Sequence, residues 1–252
     1  MPQSIYIGFM DFDADFSEHT TKISVGSISY KMHRGSGVTV VFIHGLGASS
    51  RTWKRLVKYL PDDMGVYLID LLGHGKSSAP ETDYTIPLQM SVVRKVIEEN
   101  DLHGCYLFGH SYGGWIAASM VQNDGAFKGV VLEDAAGLME FTESREVQNP
   151  EYREELSKNA LILNPKPHVI KSIVSSYGIA DELTEKSLSR ISSRTMVLWG
   201  SEDKIIEPKY GEMFQKRIKN SQLQVILGAG HTPHYEMPEV VKKLLVDFVK
   251  VK

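Results

Sequence analysis

Short apolar runs alternate with longer amphipathic stretches along most of the chain. The runs at 38–43, 65–70, 105–109, 128–134, 195–200 and 223–228 are mostly continuous in apolar residues, as strands are when both faces of their sheet are covered. Upstream, 22–25 and 28–32 read as a strand pair joined through Gly26-Ser27, a two-residue connection suited to a tight hairpin. That makes eight strands, with an antiparallel start. Between them, apolar positions recur at helical spacing over 53–60, 88–99, 115–122, 208–218 and 238–249, and Pro208 and Pro238 suit first-turn positions. This rhythm predicts an α/β fold, a mostly parallel sheet with helices on both faces.

The alternation breaks once. From about 136 to 190 no convincing strand appears, and E-Y-R-E-E-L-S-K-N-A-L followed by K-P-H-V-I-K-S-I-V-S-S-Y suggests two or more helices. Such an insertion can cover the carboxyl ends of the strands, where open α/β sheets bind ligands. Its apolar residues Leu138, Met139, Phe141, Ile173 and Tyr177 are potential pocket walls or simple packing. Residues 1–18, acidic and aromatic, fit either an extra edge strand or a loose arm.

Composition narrows the function classes. A chain of 252 residues with 42% hydrophobic and 23% charged residues can bury a full core, and one domain over 1–252 with an insertion suits the pattern. A net charge of -3 offers no electrostatic footprint for nucleic acid or an anionic membrane surface, so a small-molecule partner is expected. The lone Cys105 has no disulfide partner and reads as a buried strand residue. With no signal-peptide pattern and no apolar run of membrane-spanning length, the expected compartment is the cytoplasm. Monomer and homodimer both remain open.

The sharpest chemical signal is G-H-S-Y-G at 109–113, set between an apolar strand and a helix-like run. In that strand–turn–helix context side chains at Gly109 and Gly113 would clash, while Ser111 is pushed up in a strained conformation. A serine needs a base. With chain order serine, acid, histidine, three histidines lie downstream. His231, in the glycine-rich loop after the last strand, is favoured over His234, and His168 reads as a residue of the insertion. The acid should close a strand end: Asp203 in W-G-S-E-D-K is preferred, with Asp134 the alternative. Backbone amides of Tyr112, after the nucleophile, and Leu46, in F-I-H-G-L-G, could stabilise an oxyanion. His44 reads as a brace for that turn. No His/Cys/carboxylate spacing suggests a metal, and no cofactor is expected.

Together F-I-H-G-L-G, D-L-L-G-H-G-K-S, G-H-S-Y-G-G, W-G-S-E-D-K-I-I-E-P and G-A-G-H-T-P-H-Y-E-M-P resemble the α/β-hydrolase superfamily over nearly the whole chain. The similarity is to its branch of small carboxylesterases, C–C hydrolases and proline iminopeptidases. It implies the α/β-hydrolase fold with a helical cap over about 136–190. It also implies Ser111 as nucleophile, Asp203 as acid, His231 as base, and the amides of Leu46 and Tyr112 as oxyanion hole. The implied activity is a serine hydrolase, by preference a carboxylesterase acting on small or medium acyl esters. Alternatives are a C–C bond hydrolase or lyase on the same triad, an iminopeptidase-like peptidase, and a catalytically silent ligand receptor. Leu72 replaces the loop's usual proline. Trp115 stands where a related menaquinone-pathway synthase has arginine, and Tyr112 where iminopeptidases have tryptophan.

Overall fold

The computed structural model describes residues 10–122 and 124–250. Eight strands form one sheet: β1 (Ser17–Ile23), β2 (Gly26–His33), β3 (Thr39–Ile43), β4 (Gly65–Ile69), β5 (Tyr106–His110), β6 (Gly129–Glu133), β7 (Arg194–Gly200) and β8 (Ser221–Ile226). Their order is β1-β2-β4-β3-β5-β6-β7-β8. The pairs involving β2 are antiparallel and the others parallel. The chain leaves β3 toward β4 on one side and later returns to β5 on the other, so a switch point opens beside the carboxyl end of β3.

Side chains along each central strand alternate between two cores, as the pleat requires. Val41, Ile43, Leu107, Leu132 and Trp199 face one layer with the helices Ile86–Glu99, Tyr112–Met120 and Pro208–Arg217. Val40, Phe42, Phe108, Val131 and Leu198 face the other, against Trp53, Leu56 and the helix Pro238–Lys250. Burial on both sides explains why these strands lack a polar phase. Thr85 caps the helix Ile86–Glu99 by accepting the Leu88 amide, and Pro208 opens its own helix.

Several boundaries differ from the sequence reading: the first strand begins earlier, at Ser17, and the helices expected over 88–99 and 115–122 run Ile86–Glu99 and Tyr112–Met120. The hairpin turns at Ser24-Val25, with Ile23 opposite Gly26; Gly26 belongs to β2 at φ +148, where a Cβ would fall 2.6 Å from Ser78 Cβ. The last strand is Ser221–Ile226, two residues earlier than expected, because the chain must turn at Gly228 (φ +78). The helix expected over 53–60 is shorter, a 3₁₀ turn Ser50–Trp53 followed by Lys54–Val57.

Between β6 and β7 the chain runs through five helices, Met139–Thr142, Arg145–Gln148, Pro150–Leu163, Pro167–Ser175 and Glu185–Leu188. The helix Pro150–Leu163 rests on the loop after β3: a Cβ on Gly47 would lie 2.7 Å from the Ala160 carbonyl oxygen. Of the aromatic N-terminal stretch, Phe12 and Phe16 are buried in the second layer, and Ser17 begins β1. Residues 1–9 lie outside the described residues. Among the described residues no helix is long and apolar enough to cross a membrane.

Candidate active site

The tight turn after β5 lifts Ser111 into φ 53, ψ -116, a conformation that costs free energy and persists only under tight packing. Glycines make the turn possible. A Cβ on Gly109 would stand 2.3 Å from the Gly113 carbonyl oxygen, and one on Gly113 only 2.1 Å from that of Ile43. The Ser111 amide donates to the Glu133 carbonyl (2.9 Å), and its own carbonyl accepts from Ala136 (3.0 Å), which ties the elbow to the end of β6.

Loops after β7 and β8 deliver the two partners. His231 Nε2 lies 3.0 Å from Ser111 Oγ, and its Nδ1 lies 2.8 Å from Asp203 Oδ2. Asp203 Oδ1 accepts the amides of Ile205 (2.8 Å) and Ile206 (3.0 Å), fixing the carboxylate. Burial pushes the Asp203 carboxyl up, but the His231 hydrogen bond and charge with the two amides outweigh it and hold it below the usual range. An ionised Asp203 claims the proton on Nδ1, which leaves Nε2 with its lone pair toward Ser111. The His231 carbonyl accepts a hydrogen bond of 2.7 Å from His110 Nε2.

The remaining sequence candidates fall into place around this line. Asp134, at φ 44, accepts the Gly200 amide on Oδ1 (2.9 Å), and its buried Oδ2 has no hydrogen-bond partner. Burial, Glu133 and Asp203 push its carboxyl well above the usual range, which favours its protonated form beside Asp203. His234 faces away from Ser111: its Nδ1 meets Glu133 Oε2 and its Nε2 meets Thr52 Oγ1 at 2.9 Å. His168 Nε2 contacts the Ala79 carbonyl, in the insertion. His44, fully buried, bridges the Gly45 carbonyl (Nδ1, 2.8 Å) and the Leu71 amide (Nε2, 3.1 Å). The Leu46 and Tyr112 amides make no hydrogen bond among the described residues, and Tyr112 opens a helix, where amides lack intrahelical acceptors. Burial drives the Cys105 thiol up to about 12, which suits an inert packing residue.

A cavity of about 210 Å³ opens over Ser111 and His231. Its walls include Leu46, Thr52, Phe141, Tyr152, Leu156, Ala160, Tyr177 and Ile206. Of the expected walls, Phe141 and Tyr177 line it; Leu138 and Ile173 are packed in the core instead. Sequence reasoning overlooked Tyr152 and Leu156, as well as the buried group of His110, Glu133 and His234 behind the elbow. No sequence spacing links those three; the ends of β5 and β6 and the loop after β8 bring them together.

A sequence profile described as the alpha/beta hydrolase family matches residues 40–244. The chain belongs to that family. A monoacylglycerol lipase from Bos taurus is 25% identical to this hydrolase-family chain, covering 88% of it and 78% of the relative. Solved structures of a thermophilic esterase from Thermogutta terrifontis (TM-score 0.76, 22% identity, 94% of this chain and 98% of the other) and of a meta-cleavage product hydrolase from Pseudomonas fluorescens (0.75, 18%, 93% and 98%) share its fold. The architecture is the α/β-hydrolase fold, an eight-stranded, mostly parallel sheet with helices on both faces.

Proposed function

We propose that this α/β-hydrolase is a serine hydrolase that cleaves carboxylic esters of small or medium acyl groups through an acyl-enzyme. The observation that carries the reading is the unbroken hydrogen-bonded line Asp203–His231–Ser111, ending on a strained elbow serine in a cavity wall. In this mechanism Ser111 Oγ attacks the ester carbonyl carbon while its proton passes to His231 Nε2. Asp203 stabilises the imidazolium that forms. The charge developing on the carbonyl oxygen is met by the Leu46 and Tyr112 amides, which need no reorganisation. His231 then protonates the leaving alcohol. A water molecule, deprotonated by the same imidazole, attacks the acyl-enzyme and releases the acid.

The cavity argues for modest acyl groups, because about 210 Å³ lies below the usual range of roughly 300–1,000 Å³ for pockets that enclose drug-sized ligands. Its predominantly apolar walls suit an aliphatic chain. A series of p-nitrophenyl esters tests the reading: kcat/KM should peak at or below the octanoate, and Ser111→Ala should abolish turnover of every member. An enzyme inactive on the esters but active on a vinylogous diketone would be a C–C hydrolase. Flat activity up to palmitate would contradict the size argument.

A further inference from the structure

The helices between β6 and β7 bring two tyrosines to the cavity over Ser111. Tyr152, on the helix Pro150–Leu163, is half-buried, and its hydroxyl reaches the Ile205 carbonyl only at 3.4 Å, longer than a well-made O–H···O bond. Tyr177 follows the helix Pro167–Ser175 and is 4% exposed, its ring set edge-on to Trp115 with centroids 5.6 Å apart. Its backbone is fixed at both ends: the amide donates to the Val174 carbonyl, and the carbonyl accepts from the Arg153 guanidinium at 2.7 Å and the Gln148 side chain at 3.4 Å.

The Tyr177 hydroxyl, by contrast, makes no hydrogen bond among the described residues. The side-chain polar atoms sealed from solvent without a partner there are Trp53 Nε1, His74 Nε2, His110 Nδ1, Asp134 Oδ2 and Ser193 Oγ. Tyr177 Oη is not one of them. It therefore opens onto free space, and the space this side chain lines is the cavity that holds Ser111 and His231. Buried tyrosine hydroxyls usually find a partner, so one left without an acceptor beside a reactive serine is free for a ligand.

The chemistry of that ligand follows from the donor and its surroundings. Burial above all, and then the neighbouring Tyr152 phenol, push the Tyr177 phenol above its usual range against the opposing pull of Arg153, so it stays a neutral O–H donor. Tyr152 borders the same cavity, and among the described residues no lysine, arginine or carboxylate does. A charged substrate group would lose its hydration there without meeting a counter-ion. A single donor in an otherwise apolar wall matches an uncharged oxygen.

We propose that Tyr177 sets substrate selectivity by donating a hydrogen bond to a second, uncharged oxygen of the ester, such as a keto group, apart from the carbonyl that Ser111 attacks. The proposal rests on the ester-hydrolase reading above. An ester lacking that oxygen leaves the donor unmatched, and one hydrogen bond of this kind is expected to change kcat/KM by about tenfold.

The experiment uses two matched pairs of substrates. p-Nitrophenyl levulinate against p-nitrophenyl pentanoate places the keto oxygen on the acyl side, and acetonyl butyrate against propyl butyrate places it on the alcohol side. Tyr177→Phe keeps the ring against Trp115 and breaks no hydrogen bond of the folded protein, so it should melt as the wild type does. In at least one pair the variant should lower the ratio of kcat/KM, keto ester over parent ester, by about tenfold relative to wild type. The intrinsic reactivities of the esters cancel in that comparison. A purely structural role would lower both members together and leave the ratios unchanged. That outcome, or wild-type ratios retained in both pairs for any other reason, overturns the proposal. Turnover of none of the four esters with Ser111 still reactive toward a fluorophosphonate also overturns it, whereas an unreactive Ser111 removes the hydrolase reading on which it stands.

Discussion

Exchanging carboxyl for amide at Asp203 and at Asp134 asks which of two adjacent acids serves the histidine. Asp203→Asn keeps the Oδ1 acceptor for the amides of Ile205 and Ile206, so the loop should fold as before. What changes is the group 2.8 Å from His231 Nδ1. If the amide turns its NH₂ toward Nδ1, the imidazole is forced into the tautomer with a proton on Nε2, and that nitrogen can no longer accept from Ser111 Oγ. The loss of both tautomer and imidazolium stabilisation is worth about 10⁴ in kcat for such a triad, or roughly 5.4 kcal/mol of barrier. Asp134 should behave differently. Its carboxyl is pushed toward the protonated form and makes no hydrogen bond to His231, and an asparagine preserves the bond from the Gly200 amide, so Asp134→Asn should cost less than about tenfold. Initial rates on p-nitrophenyl acetate, with thermal melts to verify folding, measure both. The reasoning is refuted if Asp134→Asn loses the larger factor while Asp203→Asn stays within tenfold of wild type.

Two further outcomes follow from packing and burial. Gly113→Ala would drive a methyl group to 2.1 Å from the Ile43 carbonyl, so the variant should lose about 1–3 kcal/mol or more in chemical denaturation; an unchanged midpoint would contradict the close approach. Stability should also fall on acidification from pH 7 to 5. His44, His74, His110 and His234 are held below their ordinary value by burial, so below about pH 6.5 the unfolded chain takes up protons that the folded one refuses. Glu133 and Asp134, pushed up by burial, act in the opposite sense, because the folded state keeps protons the unfolded state releases. The four histidines outnumber the two acids, so the net direction is a loss of stability on acidification, and a urea midpoint that stays flat or rises from pH 7 to 5 would rule it out.

The parts of this architecture legible in the sequence were those governed by local periodicity. Strands β3 to β7 are buried on both faces and therefore read as apolar runs. The hairpin turn was misplaced because Gly26 looks like a turn residue, whereas its positive φ serves a close approach to Ser78 within β2. At the site, Ser111 was marked by the glycines its turn requires, and Asp203 and His231 by their places after the last two strands. The Glu133–His234–Thr52 line was invisible, since it depends on residues from the loop after β3, the end of β6 and the loop after β8 meeting in space. The cavity walls were only partly legible for a different reason. Along the helix Pro150–Leu163 only Ala160 is buried, so its polar pattern gave no sign that Tyr152 and Leu156 face the site.

Intact-mass analysis after incubation with a fluorophosphonate probe, followed by peptide mapping, examines the proposed nucleophile most directly. The wild-type protein should gain one probe mass, carried by the peptide containing Ser111, while Ser111→Ala should gain none and His231→Ala should react far more slowly. A folded wild-type protein that stays unmodified, or that carries the label on another serine, would contradict the account.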